Sequence, residues 1–145
     1  MKIVIQRAKN ASVTVEGNTV GKIDNGFVVL LCVKNGDTKT EADYLVKKLV
    51  NLRVFSDEND RMNLALKDVN GKLLIISQFT LYADCSRGNR PGFEEAAKQD
   101  VAKPLYEYFC QECENCGIEV QKGIFGADMK VEFMNDGPVT IVMEK

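Results

Sequence analysis

Two short segments of this 145-residue chain carry groups whose types and spacing could do chemistry. In Ser77-Gln78-Phe79-Thr80 an apolar run, Leu73-Leu74-Ile75-Ile76, turns polar, so the segment either reaches the surface or lines a pocket. In a pocket, its backbone N–H groups could hold a carbonyl or carboxylate oxygen, and the hydroxyls would add donors. In Asn135-Asp136-Gly137-Pro138-Val139-Thr140 the Gly-Pro pair predicts a turn between two strands. An X-Pro bond reaches the cis form at only ~0.5–1 kcal/mol above trans. A rigid Gly-Pro turn would present bare carbonyls, able to measure the space around a ligand's α-carbon; the other reading is a simple hairpin turn.

The chain has no histidine. That excludes Ser-His-Asp and Cys-His nucleophile pairs and a His-Glu-x-x-His zinc site. A hydrolase built on this sequence must manage its proton without imidazole. The cysteines are Cys32, Cys85, Cys110, Cys113 and Cys116. Their odd number and the lack of a signal-peptide pattern at the N-terminus predict reduced thiols and a cytoplasmic protein. Cys110-x-x-Cys113-x-x-Cys116 suggests metal, yet such positions drift around a helix axis and no fourth ligand lies nearby. A helix that happens to carry cysteines is the expectation, and neither a metal nor another cofactor is assigned. A net charge of −2 gives no bulk attraction to nucleic acid, so RNA contact would need a local basic patch. Arg87, Asn89 and Arg90 are the candidates, with a solvated loop as the alternative.

The elements that must position these groups follow from periodicity. Strands are predicted over Lys2–Arg7, Ala11–Glu16 and Thr19–Ile23, with a hairpin turn at Gly17-Asn18 and a further turn at Asp24-Asn25-Gly26. The apolar run Phe27–Val33 reads as a strand covered on both faces. Thr38-x-x-Glu41 has capping-box spacing, and Ala42, Leu45, Val46, Leu49 and Val50 then give a helix over about Thr40–Asn51. Val54-Phe55 begins a short strand, and Lys72–Phe79 is a longer one. Pro104 requires a helical break before it, met by a short turn around Phe93–Ala97 and a helix from about Asp100 to Cys116, with Gly117 as C-cap. Ile118–Gln121, Met129–Met134 and Val139–Met143 close the chain as strands, the last two linked by Asn135–Pro138. The expected fold is one α/β (α+β-like) domain over residues 1–145. It has two packed, mostly antiparallel or mixed sheets and two main helices on one side, a barrel-like three-layer arrangement.

Ser77–Ala83, Phe125-Gly126-Ala127-Asp128-Met129 and Asn135–Thr140, in this order and spacing, resemble D-aminoacyl-tRNA deacylases. Ile5-Gln6-Arg7 and Asn51-Leu52-Arg53-Val54-Phe55 look like the same family, and the resemblance spans essentially the whole chain. Arg90-Pro91-Gly92-Phe93 departs mildly from that family's usual pattern, and the three helix cysteines replace aliphatic or small residues. The resemblance implies hydrolysis of the ester between a D-amino acid, or mischarged glycine, and the 3′-terminal adenosine of tRNA. It also implies a homodimer with pockets at the subunit interface and no cofactor. Gly137-Pro138 would be cis and enter the other subunit's pocket, where its carbonyls crowd the place of an L side chain, with Arg7 holding the pair and Asn135 supporting it. Ser77, Gln78, Phe79 and Thr80 would surround the aminoacyl group, the Phe79 N–H being one contact. Phe125, Ala127 and Met129 would border the adenosine and aminoacyl site. Thr80 is the hydroxyl with family backing as a nucleophile; with no histidine to deprotonate it, water attack assisted by the RNA's own ribose hydroxyl is the favoured expectation, with Thr80 mainly positioning and a Thr80 acyl-enzyme as the alternative. Competing readings are a non-catalytic RNA 3′-end or nucleotide-binding module, a zinc-containing interaction protein, and a hydrolase of small esters.

Overall fold

The computed structural model describes residues 1–145. Strand β1 (Lys2–Val15) turns through Glu16 and Gly17 into β2 (Asn18–Cys32). Both turn residues have positive φ (49° and 80°), the conformation that matches the twist of a tight hairpin. Helix α1 (Lys39–Val50) follows, then a small ribbon of β3 (Phe55–Ser56) and β4 (Met62–Leu64), and β5 (Lys72–Ser77). Helix α2 (Gln99–Asn115), β6 (Val120–Lys122) and β7 (Lys130–Glu144) complete the chain. The main sheet has the order β6-β5-β2-β1-β7. Its β2–β5 and β5–β6 pairs are parallel, each joined across a helix, and its β1 pairs are antiparallel.

Helix α1 starts where the capping box predicted. Thr38 Oγ1 accepts from the Thr40 N–H at 3.2 Å, and Glu41 Oε2 accepts from the Thr38 N–H at 2.7 Å. Its five stripe residues are all buried, each of the leucines and valines contributing roughly 1.5–3 kcal/mol. They pack with Tyr106 and Phe109 of α2 on one sheet face, against Ile3, Ile5, Phe27, Val29, Leu31, Leu73 and Ile75. On the opposite face Val28, Leu74 and Ile76 join Ala8, Ala11, Val13 and Ile23, with Met129, Val131 and Phe133 closing over them. Strand β2 is thus covered on both faces, as its apolar run required. Two sheets and two helices on one side are present; the five-stranded sheet stays open at β6 and β7 rather than closing into a barrel.

The strands are longer than their sequence punctuation suggested. Asp24-Asn25-Gly26 lies inside β2 and Asn135–Pro138 inside β7, so neither is a turn between strands. These segments stand beside one another: Ala8 pairs with Gly26 on one side and with Asn135 on the other. Turn-type residues are used here to bend three adjacent strands along one line. Gly26 (φ 142°) is needed because a Cβ there would collide with the Lys72 backbone of β5. Strand β5 also ends earlier than expected, at Ser77, and the chain tightens into a 3₁₀ turn over Phe79–Tyr82. The break before Pro104 falls at Lys98, so the proline sits in the second turn of α2 on its exposed side. Helix α2 ends at Cys116, with Gly117 one position beyond. The Ile118 N–H reaches Cys113 O at 3.4 Å and the Gly117 N–H reaches Glu114 O at 2.8 Å, the paired bonds of a Schellman ending.

Candidate active site

Where β5 stops, a cavity of about 530 Å³ opens between the 3₁₀ turn, the Phe93–Gln99 segment and the Phe125–Val131 segment. Ser77, Gln78, Phe79, Phe125, Ala127 and Met129 all line it. Its walls are mostly apolar, with backbone polar groups at the strand end. Phe79 is the first residue of the 3₁₀ turn, so its N–H has no acceptor within that turn. Thr80 itself does not line the cavity. It is exposed, and Gln78 Nε2 donates to its Oγ1 at 2.6 Å.

Each wall has an identifiable support. The Gln78 N–H donates to Leu31 O at 2.8 Å, tying the strand end to β2. Tyr82 OH donates to Glu144 Oε1 at 3.1 Å and Lys2 Nζ donates to Leu81 O at 3.3 Å, pinning the far end of the 3₁₀ turn to β7 and β1. Burial, and then the Glu144 bond, push the Tyr82 hydroxyl above its ordinary range, so it remains a donor. The Cys32 thiol donates to Phe79 O at 3.3 Å, and burial pushes that thiol up to about 11. Phe79 meets Phe93 edge-on with ring centroids 4.9 Å apart. Tyr106 OH donates to Ile75 O at 2.8 Å while its ring lies 5.6 Å from that of Phe125. Met129 passes over Gly123, where a Cβ would come within 2.5 Å of its sulfur.

A second constellation lies apart from this cavity. Between Ala8–Asn135 and Gln6–Thr140 the register of β7 against β1 shifts, looping out three extra residues opposite Arg7. Gly137-Pro138, whose peptide bond is cis, is exposed in that loop. Arg7 Nε donates to Asp136 O at 2.9 Å and its Nη1 donates to Val54 O at 2.5 Å, clamping the loop to the chain before β3. Lys9 adds an ion pair to the Asp136 carboxylate at 3.3 Å. Asn135 Oδ1 accepts from the Val139 N–H at 3.2 Å, and its Nδ2 donates to Thr140 Oγ1 at 3.1 Å. A Cβ on Gly137 (φ 132°) would approach Val139 Cγ2 at 2.8 Å and Arg7 Nη2 at 3.0 Å.

The structure therefore gathers Ser77, Gln78, Phe79, Phe125, Ala127 and Met129 at one place and Arg7, Asn135, Gly137 and Pro138 at another. Cys32 and Tyr106 belong to the cavity and its support but carried no sequence signal, because they act through packing and backbone contacts; Phe93, met in the sequence only within the Arg90–Phe93 segment, joins them in the wall. Cys110 and Cys113 are buried in the core and Cys116 is half-buried.

A family model described as D-Tyr-tRNA(Tyr) deacylase matches residues 4–144. The chain is 56% identical to a D-aminoacyl-tRNA deacylase of Thermosipho africanus, over 99% of this chain and 97% of that one. It is 54% identical to a D-aminoacyl-tRNA deacylase of Halalkalibacterium halodurans, over 99% of each. Among solved structures, one described as a c-Myc DNA unwinding element binding protein superposes with a TM-score of 0.93 at 38% identity, covering 100% of this chain and 99% of that one. A second, described as a probable eukaryotic D-amino acid tRNA deacylase, gives 0.85 at 17% identity over 99% and 98%, a likeness of fold.

Proposed function

This chain belongs to the D-Tyr-tRNA(Tyr) deacylase family, and on that premise we propose how its two constellations divide the work. The chain is an aminoacyl-tRNA ester hydrolase acting on D-aminoacyl-tRNA. The cavity beyond β5 receives the aminoacylated 3′-terminal adenosine, with Phe125, Ala127 and Met129 against the adenosine and the strand end against the aminoacyl group. The Phe79 N–H faces the ester carbonyl oxygen and stabilises the charge that develops on it.

The Gly137-Pro138 loop of one protomer enters the cavity of a second copy. There the backbone oxygens of the loop occupy the space an L side chain would need. A D side chain points away from them, and glycine has no Cβ to be rejected, so both are accepted by the same geometry. The observation that carries this reading is the separation of the two constellations: in one protomer the loop is exposed and lies outside the cavity. Apolar side chains left uncovered on the β1–β7 face support a second copy. Val142 is 61% exposed beside Val4, and Phe79 is 57% exposed at the cavity rim.

Water adds to the ester carbonyl carbon, the bond to the ribose oxygen breaks, and the ribose regains its hydroxyl while the amino acid leaves as its acid. The neighbouring ribose hydroxyl orients the water and Thr80 positions the group. Positioning and oxyanion donors lower the barrier without a histidine base. Incubation with D-Tyr-tRNA, L-Tyr-tRNA and glycyl-tRNA tests the reading. Loss of the D and glycyl esters with the L ester spared is expected. Equal hydrolysis of D and L would overturn the chiral mechanism, and three intact esters would favour the binding-module reading.

A further inference from the structure

The Arg87/Arg90 loop is the one motif of the sequence that the cavity and the bend leave unused. Its base is tied by two backbone bonds, Asp84 N–H to Gly92 O and Gly92 N–H to Asp84 O, both 2.8 Å. The next residue, Phe93, lines the catalytic cavity and braces Phe79. Residues 93–97 are in turn sewn to the end of β2, through the Ala97 N–H to Val33 O at 2.9 Å and the Asn35 N–H to Glu95 O at 2.9 Å. The base of the loop is therefore fixed relative to the cavity mouth.

Arg87 and Arg90 line a second concavity of about 670 Å³ that shares Phe93 with the first. Both are exposed, and neither guanidinium has a carboxylate or carbonyl partner within the chain. Of the three carboxylates of the same concavity two have partners, and Glu94 has no cation beside it. Asp84 Oδ1 accepts from the Ser86 N–H at 2.9 Å, Glu95 pairs with Lys34 at 3.1 Å, and the Glu94 carboxylate is folded under Gly92. Arg87 and Arg90 are both unpaired planar cations, each able to take a phosphate in bidentate fashion, on a chain of net charge −2.

We infer that this loop is a second substrate subsite, where Arg87 and Arg90 hold phosphates of the single strand that leads to the 3′-terminal adenosine. The inference rests on the deacylase reading of the adjoining cavity and extends it from the terminal nucleoside to the strand behind it. A nucleic acid whose last nucleoside is buried in the cavity must leave past the mouth, and the shared Phe93 wall places the two arginines beside that exit. Phosphate contacts of this kind supply affinity and register without reading sequence. The subsite would let a chain of net charge −2 hold an RNA strand without reading its sequence.

The test compares D-Tyr-tRNA with the D-tyrosyl ester of adenosine, which fills the cavity but has no phosphate strand. In the Arg87→Gln/Arg90→Gln double variant, KM for D-Tyr-tRNA is expected to rise about tenfold at 0.15 M salt with kcat retained. The log–log dependence of tRNA affinity on salt should become shallower by roughly 0.7 per arginine removed. Kinetics on the adenosine ester should be unchanged, and a Lys47→Gln/Lys48→Gln control on α1 should match the parent on both. Parallel loss on the two substrates, an unchanged KM and salt slope with tRNA, or a change of oligomeric state on size-exclusion chromatography would overturn the inference. If the parent protein hydrolysed neither ester, the deacylase reading would fall. Binding of uncharged tRNA would then decide the inference, a slope difference between parent and double variant supporting it and identical slopes sinking it.

Discussion

The cavity beyond β5 and the bend in β7 are built from different materials. Side chains from four separate stretches wall the cavity, and each wall is held by packing: Phe79 on Phe93, Phe125 by Tyr106, Met129 over Gly123. The bend presents main chain, fixed by Arg7, which donates to Asp136 O, and by Asn135, whose Oδ1 accepts from the Val139 N–H. A wall of packed side chains adapts to the size and polarity of what enters. A backbone loop clamped by charge-assisted bonds does not, which suits it to a yes-or-no steric test of handedness. The comparison predicts that damage to the bend is felt in discrimination and rate together, while damage to the cavity is graded.

Gly137→Ala should have the largest effect. The added Cβ meets Val139 and Arg7, and φ of 132° strains any L residue. The loop must shift, and D-Tyr-tRNA hydrolysis should fall about 100-fold, as a ~1 Å misplacement warrants. A near-normal rate would show that the loop's position is not what the site uses. Arg7→Lys comes next: a single ammonium cannot reproduce the fork that reaches both Asp136 O and Val54 O. About tenfold loss on the D ester is expected, with measurable attack on L-Tyr-tRNA; unchanged selectivity would break the link between Arg7 and the chiral test.

On the cavity side, Thr80→Val removes only the contact with Gln78. On the proposed reading, in which the hydroxyl positions rather than attacks, D-ester hydrolysis should fall by less than about tenfold. Complete loss with folding and tRNA binding intact would make Thr80 a nucleophile and reverse that assignment.

The smallest effect concerns the buried thiols behind the cavity. Burial pushes Cys32 up to about 11 and Cys110 up to about 12, against an ordinary 9.0 in the unfolded chain. Their raised values mean that the stability they contribute is complete below pH 9 and is lost as the pH climbs through 11–12. Urea midpoints should be flat from pH 7 to 8.5 and drop by pH 10.5, with a shallower drop in Cys110→Ala. An equal drop in that variant would contradict the assignment.

Much of this was legible in the sequence where the determinants are local. Thr38 and Glu41 announced the start of α1, its stripe announced the buried face, and Phe27–Val33 announced a strand covered on both sides. The bends were misread for a physical reason. Asp24-Asn25-Gly26 and Asn135–Pro138 have turn chemistry, and only pairing with β1 shows that they bend continuous strands instead of ending them. For the cavity, Ser77–Phe79 and Phe125–Met129 were joined by family resemblance, not by any local pattern. Cys32 and Tyr106 stayed hidden because a thiol and a core tyrosine look like ordinary packing until the Phe79 carbonyl and the Ile75 carbonyl are placed beside them.

The most direct test of the two-copy site is complementation by mixing. Gly137→Ala keeps an intact cavity with a damaged bend, and Ala127→Trp fills the cavity while keeping the bend. If the bend of one copy completes the cavity of the other, each variant alone is nearly inactive on D-Tyr-tRNA. Subunits mixed by mild denaturation and refolding should then recover about a quarter of parental activity while still sparing L-Tyr-tRNA. Mixtures no more active than the two variants separately would place the bend and the cavity in unrelated roles and contradict the account.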